Sequence, residues 1–239
     1  MGRAFEYRKA TKMKRWAGMA KAFTRVGRQI ALAVKSGGGD PNYNPRLRMA
    51  IQNAKAANMP KANVDNAIKK ATSKESENYE EVIYEGYAPH GIAVLVETAT
   101  DNPTRTVANV RHVFSKYGGS LGTSGSVSYM FSHKAVFAVD KNAIGDRDEF
   151  ELEMIDAGLE EIKEEDEHLL LIAGFSDFGT FTKALEDKSI EVIESRFDRV
   201  PAMLKKLTDE QVEEVIKLID KMEEDDDVQN VFHTMDMSE

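Results

Sequence analysis

The chain has 239 residues, an ordinary globular composition and a formal net charge of −9, from 32 Lys and Arg against 41 Asp and Glu. It contains no Cys, which excludes disulfides, Cys-ligated zinc, iron–sulfur clusters and thiol nucleophiles and makes a reducing cytoplasm the expected location. Because no stretch approaches the roughly 18 apolar residues of a membrane-spanning helix and no signal-peptide pattern opens the chain, we expect no membrane partner.

Charge is divided unevenly along the chain. Residues 1–75 contain 17 basic and 4 acidic residues, a net charge of +13, whereas residues 76–239 contain 15 basic and 37 acidic residues, a net charge of −22. A compact segment with such an excess of cations has a field suited to a polyanion, and an asymmetry of this kind suggests a nucleic-acid or membrane surface.

The basic segment is predicted to be helical throughout. Over residues 17–35, apolar residues recur at helical spacing and cations occupy the opposite side, which we expect to face outward: Lys21, Arg25, Arg28 and Lys35. Glycines at 37–39 end this helix, Asn44 and Pro45 begin a second, and a third follows Pro60. Short connections between amphipathic helices predict a small bundle over residues 1–75.

The helices of this bundle, and the N-terminal arm that precedes the first of them, supply the candidate nucleic-acid-binding residues. Lys and Arg neutralise phosphates, while Phe5, Tyr7 and Trp16 could either stack on unpaired bases or complete the bundle core. The candidate residues are Arg8, Lys9, Lys12, Lys14, Arg15, Lys21, Arg25, Arg28, Arg46, Arg48, Lys55, Lys61, Lys69 and Lys70. Helix-turn-helix spacing, zinc-finger ligands, a basic zipper and RNP aromatics do not appear, so we expect recognition of backbone and shape rather than of bases.

After a polar linker at residues 72–81, strand patterns replace helical ones. Strands are predicted at 82–87 and 92–98, joined by a turn at Pro89, His90 and Gly91. A helix opens at Pro103, and alternation of Val127, Tyr129 and Phe131 predicts a third strand.

Residues 134–200 have the element order of a ferredoxin-like βαββαβ unit. Its helices are predicted at 148–157 and 177–187, with intervening strands at 159–164, 168–175 and 191–197. A capping box at Thr208 and Gln211 begins another helix, and a last strand covers 228–234. This helix and strand would be poorly buried alone, so we expect them to return to the unit formed by residues 80–133.

The resulting prediction is an α+β, multidomain fold with an N-terminal basic helical bundle at 1–75 followed by two α/β domains. One is discontinuous, formed by 76–133 plus 201–239. The other is the ferredoxin-like βαββαβ unit at 134–200, inserted in the first.

Several motifs have simpler structural interpretations than the chemistry they could support. Glycines 37–39 lack a GxxxxGK[ST] pattern and are interpreted as a helix end or hinge, and His90 as part of a hairpin turn. The Ser- and Gly-rich loop at 118–126, beside Arg105 and Arg111, could bind phosphate but lacks a GxSxG elbow and an evident general base.

Acidic and histidine residues likewise give no specific site. The acidic run at 223–227 is interpreted as a solvated helix end and turn rather than a metal or partner site. The five histidines are scattered without metal-ligand spacing. We therefore predict no metal, no cofactor and no catalytic residue.

Four stretches resemble the YebC family, which includes bacterial regulators and the mitochondrial translational activator of cytochrome c oxidase. They are GGGDPNYNPRLRMAIQNAKAANMPKANVDNAIKK from Gly37, YEGYAPHGIAVLVE from Tyr84, TDNPTRTVANVRHVFSKYGG from Thr100 and GSLGTSGSVSYMF from Gly119. The first residues depart from the GHSKW-like start common in the family, so contacts of that arm are not carried over.

This resemblance implies a helical N-terminal domain, two α/β domains and a non-enzymatic regulator of gene expression. Bacterial members are named as DNA-binding transcriptional regulators, while mitochondrial and some bacterial relatives look like ribosome-associated translation factors that bind RNA. Partners are thus DNA or ribosomal or messenger RNA, with the ribosome or a basic protein reached through the acidic domains. An enzyme using the serine-rich loop or His90, and a pure protein scaffold, are the alternatives.

Overall fold

The computed structural model describes residues 19–73, 78–165 and 168–237, which form three helices followed by two antiparallel sheets with their own helices. The helices are α1 (Met19–Gly37), α2 (Pro45–Ala56), α3 (Lys61–Thr72), α4 (Pro103–Lys116), α5 (Arg147–Met154), α6 (Phe178–Asp187) and α7 (Asp209–Glu223). The strands are β1 (Glu80–Ala88), β2 (Ile92–Thr100), β3 (Ser120–Leu121), β4 (Phe131–Asp140), β5 (Leu159–Glu165), β6 (His168–Gly174), β7 (Val192–Pro201) and β8 (Val228–His233).

Helices α1, α2 and α3 form the bundle around a small apolar core that includes Ile30, Leu47 and Val64. Gly38 adopts a left-handed conformation (φ 82°) and ends α1, as the glycine run predicts. The side chain of Asn44 caps α2 by accepting a 3.0 Å hydrogen bond from the Leu47 amide. The same side chain donates to the carbonyls of Ala33 and Gly38, so one buried amide joins the end of α1 to the start of α2.

The first sheet has the strand order β3-β1-β2-β8 and is covered by α4 and α7. β8 pairs antiparallel with β2, with Val231 opposite Val96, so the C-terminal strand returns to the unit that begins at β1. The capping box of Thr208 and Gln211 is present at the start of α7. Phe114 of α4 and Leu218 of α7 are fully buried in the core beneath this sheet.

The second sheet has the order β5-β6-β4-β7, which is the arrangement of a ferredoxin-like unit. Its core lies between the sheet and helices α5 and α6, where the ring of Phe137 packs against those of Phe178 and Phe181. The α+β class, with a helical bundle and two α/β units, is therefore confirmed, while the domain limits at residues 75, 133 and 200 stay predictions. Within the described ranges, no helix is both long and apolar enough to span a membrane.

The strand predicted through residues 127–131 is wrong. Residues 128–130 form one turn of 3-10 helix, and a single long strand, β4, begins at Phe131. The amides of Val127 and Ser128 donate to the Glu85 carboxylate, which draws this backbone away from strand pairing. Tyr129 is 75% exposed, so the alternation of apolar residues did not mark a half-buried strand here.

Candidate nucleic-acid interface

The basic side of α1 lies against an acidic turn, residues 223–227, at the end of α7. Lys21 Nζ is 3.3 Å and Arg25 Nη2 is 2.8 Å from the carbonyl oxygen of Glu223. The last carbonyls of a helix lack partners within the helix, and the C-terminal end carries a partial negative charge. The two cations therefore share one of the backbone acceptors that α7 leaves open.

Arg28 makes three contacts from a single guanidinium nitrogen. Its Nη1 lies 2.7 Å from Oδ1 of Asp227, 2.9 Å from the carbonyl oxygen of Ala99 and 2.5 Å from that of Asp226. The three acceptors come from the end of β2 and from the acidic turn. One guanidinium thus joins the bundle to the first sheet.

Asp227 is the buried centre of this contact, with only 2% of its surface exposed. Besides Arg28, it accepts hydrogen bonds from Arg105 Nη2 (2.8 Å), Thr106 Oγ1 (2.6 Å) and Thr100 Oγ1 (3.2 Å). Burial by itself would raise the pKa of Asp227, but hydrogen bonds from Thr106, Arg105 and Arg28 outweigh burial and lower it. The carboxylate is therefore held in its charged form, and the hydrogen bond to Asp227 raises the pKa of Arg105.

The expectation that the basic side of α1 faces outward is wrong for Lys21, Arg25 and Arg28, which are partly buried against the acidic turn. The interpretation of residues 223–227 as a helix end and turn agrees with the structure, in which Glu224 and Asp226 are exposed, but Asp227 is buried against Arg28 and is not solvated. Helical periodicity assigns residues to faces but does not show what covers a face. Here one side of α1 fills the bundle core and the other is covered by the protein's own carboxylates and carbonyls.

Lys35 and Arg46 also form hydrogen bonds with other residues of the protein. Lys35 Nζ donates to Oδ1 of Asn78 at 2.7 Å and to the carbonyl oxygen of Tyr79 at 3.2 Å. Nη1 and Nη2 of Arg46 both donate to the Glu81 carboxylate, Nη1 at 3.1 Å, and so connect α2 to β1. These contacts position the bundle on the first sheet.

Arg48 supports the connection between α1 and α2. Its Nη1 donates to the carbonyl oxygens of Pro41 (2.9 Å) and Asn42 (3.1 Å). We assign this side chain a structural contact within the bundle; its predicted contact with nucleic acid stays a prediction.

The remaining described candidates are all exposed on the surface of the bundle: Lys55, Lys61, Lys69 and Lys70. Lys55 closes the last turn of α2, Lys61 opens α3, and Lys69 lies about 12 Å further along the α3 axis at 1.5 Å per residue. Across the parts of the chain that the structure describes, Lys55, Lys61 and Lys69 make no hydrogen bond or ion pair with another side chain or the backbone. This surface could contact phosphates as it stands.

The predictions made for the N-terminal arm lie outside the described residues. They are the candidates Arg8, Lys9, Lys12, Lys14 and Arg15, together with the choice between stacking and core packing for Phe5, Tyr7 and Trp16.

A cleft of about 980 Å³ lies where the bundle meets both sheets. Its cations are largely matched by carboxylates: Arg46 pairs with Glu81, and Arg199 Nε lies 2.9 Å from Oε1 of Glu97. The charged residues that line it are Lys21, Arg25, Arg46, Arg196 and Arg199 with Glu81, Glu97, Glu194, Asp220, Glu223 and Glu224. Because carboxylates outnumber cations, the cleft does not suit a polyanion, and the exposed bundle surface is the better candidate.

The Ser- and Gly-rich loop is organised by Glu85, a residue that sequence reasoning missed. Glu85 is 5% exposed, and its carboxylate accepts 2.7 Å hydrogen bonds from the amides of Gly125, Val127 and Ser128. Burial alone would raise the pKa of Glu85, but these hydrogen bonds lower it. A carboxylate thus occupies the amides that a phosphate would need. Glu85 lies on the face of β1 opposite to Tyr84 and Ala88, so its own stretch of sequence gave no signal that a loop some 40 positions away covers it.

The structure places Arg105, Arg111 and His90 in three different environments. Arg105 is paired with Asp101 and Asp227, whereas Arg111 is exposed. His90 lies in the predicted turn with a left-handed backbone (φ 63°), and its Nε2 is 2.8 Å from Oε2 of Glu214.

His133 stacks on Phe175 at 3.7 Å between ring centroids, and burial together with the charge of Arg199 lowers its pKa to about 4. No group of three or more acidic or histidine side chains with the geometry of a metal site occurs among the residues described. The absence of a metal, a cofactor and catalytic residues stays a prediction.

Comparisons with known proteins agree along nearly the whole chain. The family model described as "TACO1/YebC protein N-terminal domain" matches residues 3–74, and that described as "TACO1/YebC second and third domain" matches residues 79–235. A probable transcriptional regulatory protein of Flavobacterium psychrophilum is 56% identical over 235 residues, covering 98% of this chain and 99% of the relative. One from Sulfurimonas denitrificans is 49% identical over 232 residues, covering 97% and 98%.

A solved structure shares the same fold. The crystal structure of a conserved hypothetical protein from Aquifex aeolicus superposes with a TM-score of 0.79 at 39% identity. It covers 91% of this chain and 90% of its own.

Proposed function

Because the chain belongs to the TACO1/YebC family, we propose that it is a non-enzymatic regulator of gene expression that binds nucleic acid through the exposed cations of its bundle. The observation that carries this proposal is the set of exposed lysines at Lys55, Lys61 and Lys69, which have no carboxylate partner among the described residues. They lie within a segment whose net charge is +13.

The chemistry of these lysines suits phosphates rather than bases. An ammonium group on a flexible stem acts as a point charge, and each phosphate contact releases condensed counterions. Lys61 and Lys69 of α3 would follow a sugar–phosphate backbone over a distance of about 12 Å. Recognition of this kind positions a protein on nucleic acid without reading sequence.

Relatives named as probable transcriptional regulatory proteins make duplex DNA the first ligand to test. Phosphate contacts alone do not separate DNA from RNA, so a structured RNA, such as a ribosomal hairpin, forms the second arm. Crosslinking in cells, followed by sequencing of the bound nucleic acid, assigns the physiological ligand.

The direct test is a triple substitution of Lys55, Lys61 and Lys69 by Gln, with binding to duplex DNA and to RNA measured over a salt series. Three lost phosphate contacts reduce the slope of log Kobs against log salt by about 2.7 for duplex DNA. The matched control replaces three exposed cations of the α/β domains, Arg111, Lys206 and Lys217, by Gln. An equal loss of binding in both triple variants, or no binding by the unsubstituted protein at low salt, contradicts the proposal.

A further inference from the structure

We propose that the acidic turn at residues 223–227 is an intramolecular competitor of nucleic acid, which covers Lys21, Arg25 and Arg28 and has to leave α1 before these cations contact phosphates. The inference rests on the proposed function, since it concerns how cations of the same bundle become accessible to nucleic acid. It divides the basic surface into an open part on α2 and α3 and a covered part on α1.

The turn offers α1 the kind of acceptors that a nucleic-acid backbone offers. Arg28 contacts one carboxylate oxygen of Asp227 and the carbonyl oxygen of Asp226. Lys21 and Arg25 converge on the carbonyl oxygen of Glu223, at the negative end of α7. Three cations spaced over two helical turns are thus matched to a row of anionic and partly negative oxygens, which is also what a phosphate backbone presents.

The contact is formed between domains rather than within one. α1 belongs to the bundle core of Ile30 and Leu47, whereas the turn belongs to the sheet domain through β8. Contacts between domains of one chain resemble transient protein–protein interfaces, and relative movement is the default expectation unless the interface is large and apolar. Here the direct contacts of Lys21, Arg25 and Arg28 with the turn are polar.

The same interface is imperfectly matched in hydrogen bonding. Buried atoms without a hydrogen-bond partner among the described residues include Nε of Arg28, Oε1 of Gln29 and both polar atoms of the Gln229 amide. Gln29 and Gln229 both line the cleft between the bundle and the sheets. Burying a polar atom without a hydrogen bond is unfavourable, so separation of α1 from the turn would recover part of the cost of breaking the ion pair.

A second set of contacts attaches the bundle to the second sheet. These contacts would remain while nucleic acid replaces the acidic turn on α1. Met49 of α2 packs into the core of the second sheet, and Oδ1 of Asn53 accepts a 3.3 Å hydrogen bond from the Ser195 amide of β7. These contacts do not involve the acidic turn. A polyanion could therefore displace the turn without detaching the bundle from the rest of the protein.

A reversible covalent lock tests the inference, and the absence of Cys in the chain makes such a lock specific. Thr24→Cys and Glu224→Cys place thiols on exposed positions beside Arg25 and Glu223, whose side chain and carbonyl are in contact. A short cleavable bis-maleimide joins them, and the same variant capped with N-ethylmaleimide serves as the unlocked form. The control pair Lys141→Cys and Glu164→Cys, which replaces an ion pair of the second sheet, receives both treatments.

The measured quantity is the affinity for a short DNA duplex between 50 and 200 mM salt. Three extra phosphate contacts add up to about 2.7 to the salt slope, so the unlocked form should lose up to about 40-fold more affinity over this range than the locked form. Cleavage of the linker should restore the unlocked behaviour, and locking the control pair should change neither slope nor affinity.

The outcomes separate this inference from the proposed function. Equal slopes for locked and unlocked forms, with binding intact, overturn the competitor role of the turn but leave the exposed lysines as the binding surface. No binding by either form, nor by the unsubstituted protein, overturns the proposed function itself. A slope difference of the same size in the control pair also contradicts the inference, because it would assign the effect to locking in general.

Discussion

Nη1 of Arg28 lies 2.7 Å from Oδ1 of Asp227, and this ion pair connects residues 199 positions apart in the chain. Both side chains are largely buried, with 13% and 3% of their surfaces exposed. An exposed ion pair contributes little to stability, but removing one partner of a buried pair leaves an uncompensated charge. The contact between the bundle and the acidic turn therefore has measurable consequences for stability.

Replacement of Arg28 by Ala should lower the free energy of unfolding by about 1–3 kcal/mol, because Asp227 and the carbonyl of Ala99 lose a charged donor. Arg105 remains bonded to Asp227 and limits the loss. Urea unfolding followed by circular dichroism measures the change. The exposed Lys69→Ala variant should stay within about 0.5 kcal/mol of the unsubstituted protein, and equal stability of the two variants would contradict the prediction.

The acid dependence of stability should include a contribution from Asp227. Its pKa is lowered in the folded protein, so its stabilising contribution is complete well above the ordinary value of 3.8 and is lost as pH falls through the folded value. The Asp227→Asn variant should be less stable at pH 7 and should lose less stability on acidification than the unsubstituted protein. Thermal midpoints measured from neutral pH to below 3.8 test this, and parallel curves would disprove it.

Glu85→Gln should destabilise the protein by about 1–3 kcal/mol, because an NH₂ group then faces one or two of the backbone amides that now donate to the carboxylate. The lowered pKa of Glu85 also means that the difference from the unsubstituted protein should shrink as pH falls below the ordinary value of 4.5 and through the lower folded value, at which the buried carboxylate becomes protonated. Hydrogen exchange at residues 125–128 should increase in the variant at pH 7. Glu151→Gln, on an exposed position of α5, is the control.

Two glycine substitutions should have opposite effects. A Cβ at Gly86 of β1 would lie 2.5 Å from the Ser120 carbonyl oxygen and 2.9 Å from the Phe114 ring, so Gly86→Ala should cost about 1–3 kcal/mol. A Cβ at Gly27 of α1 would have no neighbour within 4 Å among the described residues, so Gly27→Ala should stabilise the protein by about 0.5–1 kcal/mol through helix propensity. Thermal midpoints that move in the same direction would contradict this pair of predictions.

Much of the fold follows from patterns that are local in the chain. The capping box at Thr208 and Gln211 and the end of α1 at Gly38 depend on residues a few positions apart, and both are confirmed. The order of elements in residues 134–200 was sufficient to predict a ferredoxin-like unit, because right-handed, short connections leave few ways to pair those strands. The strand predicted at 127–131 was wrong because its backbone is captured by Glu85, some 40 positions away.

The candidate site likewise has features that follow from neighbouring residues and features that depend on distant contacts. The sequence by itself determined that residues 1–75 are basic, that the helices within them form a bundle and that the rest of the chain is acidic, since charge and helical period are properties of neighbouring residues. Only the tertiary structure decided which cations are exposed and which are covered, because the partners of Lys21, Arg25 and Arg28 lie about 200 positions away. No periodicity links such distant residues; the return of β8 to β2 brings the acidic turn to α1 and sets the division.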